Sequence, residues 1–338
     1  MNRRLLLFLL LVALGATAWY LAGSRGSTTL DRPLSDFMVA DTSQVDRIFI
    51  AEHNGKWVDL RRRPDGSWSL NDIYKAKKHE VDLLLRTFLR VEVKAPVPKS
   101  AEENVLRVMS ASASKVEIYT GGKKPEKVWI VGHGTKDHFG TYMLLEKPGI
   151  GRSSSPFIMG MSRFTGVLNT RFHADLDTWR DTEVYAFDDV YEVAAVEMTL
   201  TGEPDASYRV EHPAPGVVRL LAPDGRALPT DTLLVKGYLL AFEQLNYEYI
   251  ERNLDRRQRD SLIATPPSHV LAITARDGGT KRIKFWWKPY EGDLTAPEAV
   301  QAEHDKVRMQ ALVQDTLLVT VQRQMFDVVL QPREFLLP

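Results

Sequence analysis

A largely apolar stretch near the start of the chain, LLLFLLLVALGATAWYLAG, runs from Leu5 to Gly23 and carries no charge. A helix needs about 20 apolar residues to cross the hydrocarbon core of a bilayer, and this stretch meets that length. Arg3 and Arg4 precede it, which favours a cytoplasmic N-terminus. The sequence therefore predicts a cytoplasmic tip at residues 1–4, a single-pass anchor in the inner membrane at residues 5–23, and a body in the periplasm.

The same stretch has a second interpretation, as a cleaved signal peptide. Ala16-Thr17-Ala18 has the small residues of a cleavage site, and the apolar segment before it runs from Leu5 to Leu14. The apolar run continues past Ala18, and Trp19 and Tyr20 suit the interface between membrane and water. These features favour the uncleaved anchor, and both interpretations export the body.

Charge and cysteine content exclude several classes of function. The 338 residues include 44 Lys plus Arg and 44 Asp plus Glu, which gives a net charge of zero. Nucleic-acid binding is therefore not expected, because it depends on neutralising phosphates. The chain has no cysteine, which rules out disulfides, thiolate catalysis and thiolate metal sites. We predict no cofactor.

The pattern of apolar residues after the anchor predicts an α+β body. Residues 24–36 are polar and predict a tether, and short strand-like runs then alternate with turn signals such as Asn54-Gly55. Val81, Leu84, Leu85 and Phe88 have the spacing of one helix face. A longer helix is predicted from Thr230 to Tyr249. Its apolar stripe comprises Leu234, Tyr238, Ala241, Leu245 and Tyr249.

Three turn and apolar markers recur at similar offsets in the two halves of the body. Pro64-Asp65-Gly66 recurs as Pro223-Asp224-Gly225, Gly121-Gly122 as Gly278-Gly279, and Val167-Leu168 as Val329-Leu330. The offsets are 159, 157 and 162 residues. These markers predict two similar modules, residues 37–182 and 183–338, each with antiparallel strands and one main helix.

Two groups of residues are candidates for a binding role. Phe285-Trp286-Trp287, followed by Tyr290, forms an aromatic cluster at a predicted strand end, and aromatic rings bind glycans and partner proteins. Alternation along a strand also predicts that one side of this cluster faces the core. Trp179-Arg180-Asp181 lies at the predicted junction of the modules, where it either holds the structure together or binds a partner.

The histidines provide only weak candidates for a metal site. His133, Asp137 and His138 fall within one loop between strands, and imidazole and carboxylate are ligands for divalent ions. Their spacing matches no standard motif, and a solvated loop is the simpler interpretation. The same holds for His173, Asp175 and Asp177. No nucleophile elbow, zinc-protease motif or phosphate-binding glycine loop occurs, so we predict no catalytic residues.

Several short motifs in the first half resemble a family of bacterial envelope proteins common in Bacteroidota, which carries a domain of unknown function. The matching residues are Ser35-Asp36-Phe37, Asp41-Thr42, Val45-Asp46, Trp68, Leu70-Asn71, Gly140-Thr141-Tyr142-Met143, Pro156-Phe157, Phe164, Gly166, Leu168, Arg171-Phe172 and Trp179-Arg180-Asp181. Members of that family are often encoded near components of ABC-type export and gliding motility. The resemblance implies a membrane-anchored envelope component and supplies no catalytic residues.

Together these features predict an interaction or scaffold subunit of an envelope complex for transport, secretion or motility. Its partners are then the membrane, through the anchor, and protein subunits such as those of an ABC-type transporter. A periplasmic glycan- or peptide-binding module that uses Phe285, Trp286 and Trp287 is the alternative. A metal-dependent hydrolase built on His133, Asp137 and His138 is a third possibility.

Overall fold

A computed structural model describes residues 15–16, 32–290 and 304–338 of the chain. Within these residues, no helix combines the length and apolar character needed to span a membrane. Except for residues 15 and 16, the predicted anchor at 5–23 lies outside the described residues, as does most of the tether. The chain divides into two compact units, the first ending at Asp181 and the second comprising Thr182–Pro338.

The first unit combines one large sheet with two long helices. Its strands are β1 (Arg47–Ala51), β2 (Trp57–Arg62), β3 (Trp68–Leu70), β4 (Tyr74–Lys75), β5 (Val91–Pro96), β6 (Ser114–Tyr119), β7 (Lys127–Gly134), β8 (Thr141–Lys147), β9 (Gly151–Arg152) and β10 (Phe157–Met161). Its helices are α1 (Arg32–Ser35), α2 (Lys78–Arg90), α3 (Lys99–Ser112) and α4 (Leu176–Trp179). The strand order is β4-β3-β2-β1-β6-β7-β8-β10-β5, with β9 beside β8.

The second unit has the same kind of architecture. Its strands are β11 (Glu183–Ala186), β12 (Val193–Leu200), β13 (Tyr208–Ala214), β14 (Val217–Leu221), β15 (Gln244–Asn246), β16 (Tyr249–Ile250), β17 (His269–Ala275), β18 (Thr280–Pro289), β19 (His304–Val313) and β20 (Leu317–Gln322). Its helices are α5 (Thr232–Leu240), α6 (Arg256–Ala264) and α7 (Arg323–Phe326). The main sheet has the order β14-β13-β12-β17-β18-β19-β20-β16, and β11 pairs with β15.

Helices and antiparallel sheets are thus combined, as the sequence predicts, and the two main sheets share one topology. Strands β3-β2-β1-β6-β7-β8-β10-β5 correspond one by one to β14-β13-β12-β17-β18-β19-β20-β16. The pairing register agrees as well. Ile48 is opposite Leu60 on one side and Ile118 on the other, and Val196 is opposite Val210 and Ile273. Equivalent positions can therefore be assigned residue by residue.

Two of the three sequence markers of the repeat lie at equivalent positions in the two sheets, and one does not. Gly121-Gly122 and Gly278-Gly279 are equivalent, because they join β6 to β7 and β17 to β18. Val167-Leu168 and Val329-Leu330 both follow the strand next to the sheet edge. Pro64-Asp65-Gly66, however, joins β2 to β3, whereas Pro223-Asp224-Gly225 comes after β14. The offset of 159 residues between these two turns is therefore a coincidence.

Helix α2 of the first unit and helix α5 of the second supply the core on the inner faces of their sheets. In the first unit, Val81, Leu84 and Phe88 are fully buried, and the Phe88 ring lies 5.0 Å from that of Trp129. In the second unit, residues with the same spacing are buried: Val235, Tyr238 and Phe242. This spacing fixes the equivalence of α2 and α5.

A further helix, α3 or α6, covers part of the outer face of each sheet, in addition to the one main helix predicted for each module. In the first unit, Val105 and Met109 of α3 pack with Leu144 of β8. In the second unit, α6 covers a small cluster that contains Trp286 and Leu312. Both helices follow the strand that forms the sheet edge, β5 or β16.

The predicted helix from Thr230 to Tyr249 is wrong in length and register. Helix α5 ends at Leu240, and the following segment forms β15 and β16. Residues 244–246 pair with β11, and residues 249–250 pair with β20. These long-range hydrogen bonds outweigh the helical spacing of the local sequence. Leu234 of the predicted stripe is 47% exposed, and the neighbouring Val235 is buried instead.

Candidate docking site on the second unit

The predicted aromatic cluster is mainly a packing feature. Phe285 is fully buried and its ring lies 5.5 Å from that of Phe326. Trp286 is buried beneath α6, and its Nε1 donates a 2.9 Å hydrogen bond to the Thr265 carbonyl. Alternation does place neighbouring rings on opposite faces, but both faces are covered here. The proposed glycan platform is therefore corrected, because two of its three main rings are inaccessible.

The remaining aromatic residues of this cluster lie at the end of β18. Trp287 stacks on the His304 ring, with centroids 5.6 Å apart and planes 7° from parallel. The Arg323 guanidinium also packs on the Trp287 ring, 5.0 Å from its centroid. Trp287 and Tyr290 are half-buried. The Trp287 ring already has protein partners, so it does not provide a free platform.

Trp179-Arg180-Asp181 belongs to the first unit and holds its edge strand in place. Trp179 is 1% exposed, and its Nε1 donates a 2.8 Å hydrogen bond to the His173 carbonyl. Arg180 lies 4.1 Å from the Tyr74 ring centroid, and Asp181 forms a 3.2 Å ion pair with Lys75. The Arg180 and Asp181 contacts join the end of the first unit to β4. These residues therefore have a structural role within the first unit.

The histidine loop does not assemble a metal site. Among the described residues, no three His, Asp or Glu side chains are grouped so that they could hold an ion. Asp137 instead closes its own loop by accepting hydrogen bonds from Thr135 Oγ1 and from the Phe139 backbone N–H, 3.1 Å away. The Thr135 bond lowers the pKa of the Asp137 carboxyl. His133 packs on the Tyr142 ring, and burial lowers its pKa.

His173, Asp175 and Asp177 are likewise engaged in local structure. Asp175 caps α4 by accepting a 3.1 Å hydrogen bond from the Asp177 backbone N–H. The His173 carbonyl receives the Trp179 indole, and the His173 ring lies 5.2 Å from that of Trp179. These side chains shape the turn that ends the first unit.

A cavity that the sequence did not predict lies in the second unit, between α5 and the turn before β12. We call it the Tyr191 pocket, and it has a volume of about 330 Å³. Its wall is formed by Asp189, Val190, Tyr191, His212, Pro215, Gly216, Lys236, Leu239 and Leu240. The cavity is large enough for a small ligand or an inserted side chain.

The turn that forms one wall of this pocket is held rigidly. Asp189 caps it, since its Oδ1 accepts from the Tyr191 backbone N–H at 2.9 Å while Glu192 accepts from the Asp189 backbone. The Arg276 guanidinium lies 3.9 Å from the Tyr191 ring centroid and also donates to the Tyr191 carbonyl. Tyr191 is therefore fixed before any ligand arrives.

Two polar groups of the pocket have unused bonding capacity. His212 is only 4% exposed, and its Nδ1 has no hydrogen-bond partner among the described residues. A buried polar atom without a partner is unfavourable, so a ligand that supplies one is favoured. Lys236 forms no ion pair within the described part of the chain. The pocket therefore combines apolar walls with a free cation and an unsatisfied imidazole nitrogen.

An exposed apolar surface of α5 adjoins the pocket. Leu233 is 80% exposed and Leu240 is 53% exposed, and the two lie two helical turns apart on one side of α5. Leu234, at 47% exposure, extends this surface around the helix. Leu240 also lines the Tyr191 pocket. We call Leu233, Leu234 and Leu240 the leucine surface.

The first unit has a cavity at the equivalent place, but its chemistry is different. It also measures about 330 Å³ and is lined by Thr42, His79, Asp82, Leu85, Arg86 and Leu89. Here His79, Asp82 and Arg86 occupy the α2 positions that correspond to Leu233, Lys236 and Leu240 of α5. The same fold thus has charged residues on this helix face in the first unit and exposed leucines in the second.

The sequence contains a signal for this site that is visible only in retrospect. The segment TLLVKGYLL of α5 has leucines on its exposed side as well as apolar residues on its buried side, which is unusual for a helix that covers a sheet from one side. In sequence such a segment looks like a core helix. No family model, no curated protein and no solved structure matches the chain.

Proposed function

We propose that the protein is a membrane-anchored interaction subunit of an envelope complex, with its body in the periplasm, and that the second unit docks a partner protein. The observation that carries this proposal is the leucine surface, because the equivalent helix face of the first unit is charged. Exposed apolar surfaces next to a cavity are typical of protein interaction sites. The predicted anchor and the family resemblance support the envelope location.

The occupant that fits this site is an apolar protein segment that carries an acidic group. Leu233 and Leu240 offer contact area to apolar side chains, and the Tyr191 pocket accepts one of them. Lys236 supplies a cation at the pocket wall without an acidic partner among the described residues. An acidic group on the partner would be paired there, which adds specificity to the apolar contact.

The test is a pull-down of the full-length protein from gently solubilised native membranes, followed by mass spectrometry. We expect the wild type to bring down defined envelope subunits in a fixed ratio, and the double variant Leu233→Glu/Leu240→Glu to lose them. The matched control, His79→Glu/Arg86→Glu, changes equivalent positions in the first unit and should retain them. Equal recovery with both double variants would contradict the proposed docking site.

A peptide-binding module is the alternative that the geometry also supports, because the Tyr191 pocket suits one inserted side chain. A separate binding assay on anionic vesicles tests whether the leucine surface binds lipid rather than a protein. Binding of the wild type, but not of Leu233→Glu/Leu240→Glu, to vesicles without any protein would overturn a protein partner.

A further inference from the structure

The outer face of the first unit carries a protruding aromatic pair that the proposed docking site does not use. The rings of Phe49 on β1 and Trp57 on β2 are stacked, with centroids 6.0 Å apart and planes 29° from parallel. Trp57 is 50% exposed. Exposing a large apolar ring to water is unfavourable, and such rings are common at the centres of protein interfaces.

A compact charged group lies beside these rings. The Asp59 carboxylate accepts from Arg47 Nε at 2.8 Å and from Arg61 Nη2 at 2.8 Å. Arg61 also lies 3.6 Å from Asp72 at the edge of the group. One buried acid is thus held between two bases on the first unit.

The second unit carries the opposite arrangement on the same part of its sheet. Arg209 lies between two acids, 3.4 Å from Glu197 and 3.1 Å from Glu211. The strand register makes Asp59 equivalent to Arg209 and Arg61 equivalent to Glu211. The sign of charge is therefore reversed at both positions.

The second unit also has a hollow where the first unit has its aromatic pair. A cavity of about 360 Å³ opens there, and its floor and rim include Glu197, Thr199, Ser207 and Arg209. By the same register, Glu197 stands where the first unit has Phe49, and Ser207 stands where it has Trp57. The protruding indole and the hollow are thus equivalent positions of one fold, with opposite shapes as well as opposite charges.

We infer that these two outer faces bind each other between two copies of the chain, with Trp57 of one copy inserted beside Ser207 of the next. Arg61 of the first copy then meets Glu197 and Glu211 of the second. The contact joins different surfaces, so it is heterologous and produces a closed ring or an open row of copies. It uses neither the leucine surface nor the Tyr191 pocket, so it is independent of the proposed partner.

Cysteine cross-linking tests the geometry directly, because the natural chain has no cysteine. Lys56→Cys places a thiol next to Trp57, and Asp205→Cys places one close to Ser207; both positions are exposed. Full-length proteins in detergent are oxidised separately and as a mixture. We expect a covalent dimer that contains one copy of each variant, and much less of either homodimer. Equal yields of all three dimers, or no dimer at all, would overturn the inference.

Sedimentation velocity of the full-length protein without added cysteines provides the energetic test. Truncation of a central interface aromatic residue commonly weakens binding by at least about tenfold, so Trp57→Ala should weaken self-association by that factor. Thr199→Trp should also weaken it by filling the hollow from an exposed position. The matched control is Phe139→Ala, since Phe139 is a similarly exposed ring of the first unit at 54%. A concentration-independent monomer in the wild type, or equal effects of Trp57→Ala and Phe139→Ala, would refute the inference.

A charge exchange between Arg61 and Glu211 distinguishes specific pairing of the two faces from non-specific association. Arg61→Glu alone and Glu211→Arg alone should each weaken association, because each places like charges opposite one another. The double variant restores opposite charges between copies and should recover most of the wild-type association. Additive losses in the double variant would show that Arg61 and Glu211 do not meet.

Discussion

Gly132 of the first unit and Trp286 of the second occupy equivalent positions, beneath α3 and α6 respectively. The Trp286 indole fills the space between β18 and α6 and reaches the Thr265 carbonyl at the end of that helix. Above Gly132 that space is taken by Met109 of α3, whose Cγ would lie only 2.6 Å from a Cβ added there. The two units thus share one topology but fill the space under this helix differently. In the second unit a large residue on the sheet fills it, and in the first unit a large residue on the helix does.

Removing the indole should destabilise the second unit. Trp286→Ala leaves a cavity and an unpaired carbonyl, and we expect a loss of about 3–5 kcal/mol in the free energy of unfolding. Chemical denaturation measures this loss. Trp57→Ala, which removes an exposed indole, should cost less than about 0.5 kcal/mol at a concentration where the protein is monomeric. A similar cost for both variants would contradict the packing described for Trp286.

Trp179 should stabilise the first unit alone. Its side chain is buried in that unit and bonded to the His173 carbonyl, so Trp179→Ala should cost about 3–5 kcal/mol there. Hydrogen exchange followed by mass spectrometry reads each unit separately. We expect peptides from β3, β4 and α2 to lose protection while peptides from β12 and β17 remain unchanged. Equal loss in both units would show that Trp179 acts as a junction residue.

The buried tyrosine pair of the second unit should make stability depend on alkaline pH. The Tyr208 hydroxyl donates to the Gln331 carbonyl at 2.8 Å and that of Tyr238 to the Val329 carbonyl at 3.1 Å. Burial raises the pKa of both hydroxyls above the usual value near 10. Above that value the unfolded chain releases protons that the folded chain keeps, so the free energy of unfolding falls as pH rises.

Tyr238→Phe removes one of these groups and provides the test. At neutral pH we expect it to cost about 1 kcal/mol, because the Val329 carbonyl loses a hydrogen bond. Above pH of about 10 the deficit relative to wild type should shrink, because the variant has one tyrosine fewer to ionise on unfolding. Val235→Ala also weakens this core but carries no ionisable group, so its deficit should be constant over the same pH range. A constant deficit for Tyr238→Phe would contradict the linkage.

The predicted anchor is tested by membrane fractionation of the full-length protein. If residues 5–23 remain and span the inner membrane, the protein should stay in the membrane pellet after an alkaline carbonate wash. A C-terminal alkaline phosphatase fusion should be active if the body is exported to the periplasm as proposed. Release of a shortened protein into the soluble fraction would instead favour cleavage after Ala18, and an inactive fusion would contradict export.

Local signals in the sequence predict local structure well. Asn54-Gly55 and Gly121-Gly122 do form hairpin turns, with positive φ at Gly55 and Gly121. The spacing of Val81, Leu84 and Phe88 predicts the buried face of α2 correctly. Alternation and turn residues act over a few positions, so a single sequence is enough to read them.

Features that depend on distant contacts were not predictable in this way. The segment after Leu240 forms strands because β11 and β20 offer it hydrogen bonds. Phe285-Trp286-Trp287 would form a surface platform only if one face of its strand were open to solvent, and the sequence does not show that α6 covers the second face. Tyr191 lies in the turn before β12 and His212 lies in β13, and exposed leucines on α5 look like core residues in sequence. The Tyr191 pocket therefore has no local signature.

Photo-cross-linking in intact membranes tests the central proposal most directly. A benzophenone amino acid placed at Leu240 lies on the leucine surface beside the Tyr191 pocket, and the same residue placed at Arg86 lies at the equivalent position of the first unit. We expect Leu240 to yield a discrete adduct with one envelope protein and Arg86 to yield none. No adduct from Leu240, or the same adduct from both positions, would contradict a docking site on the second unit.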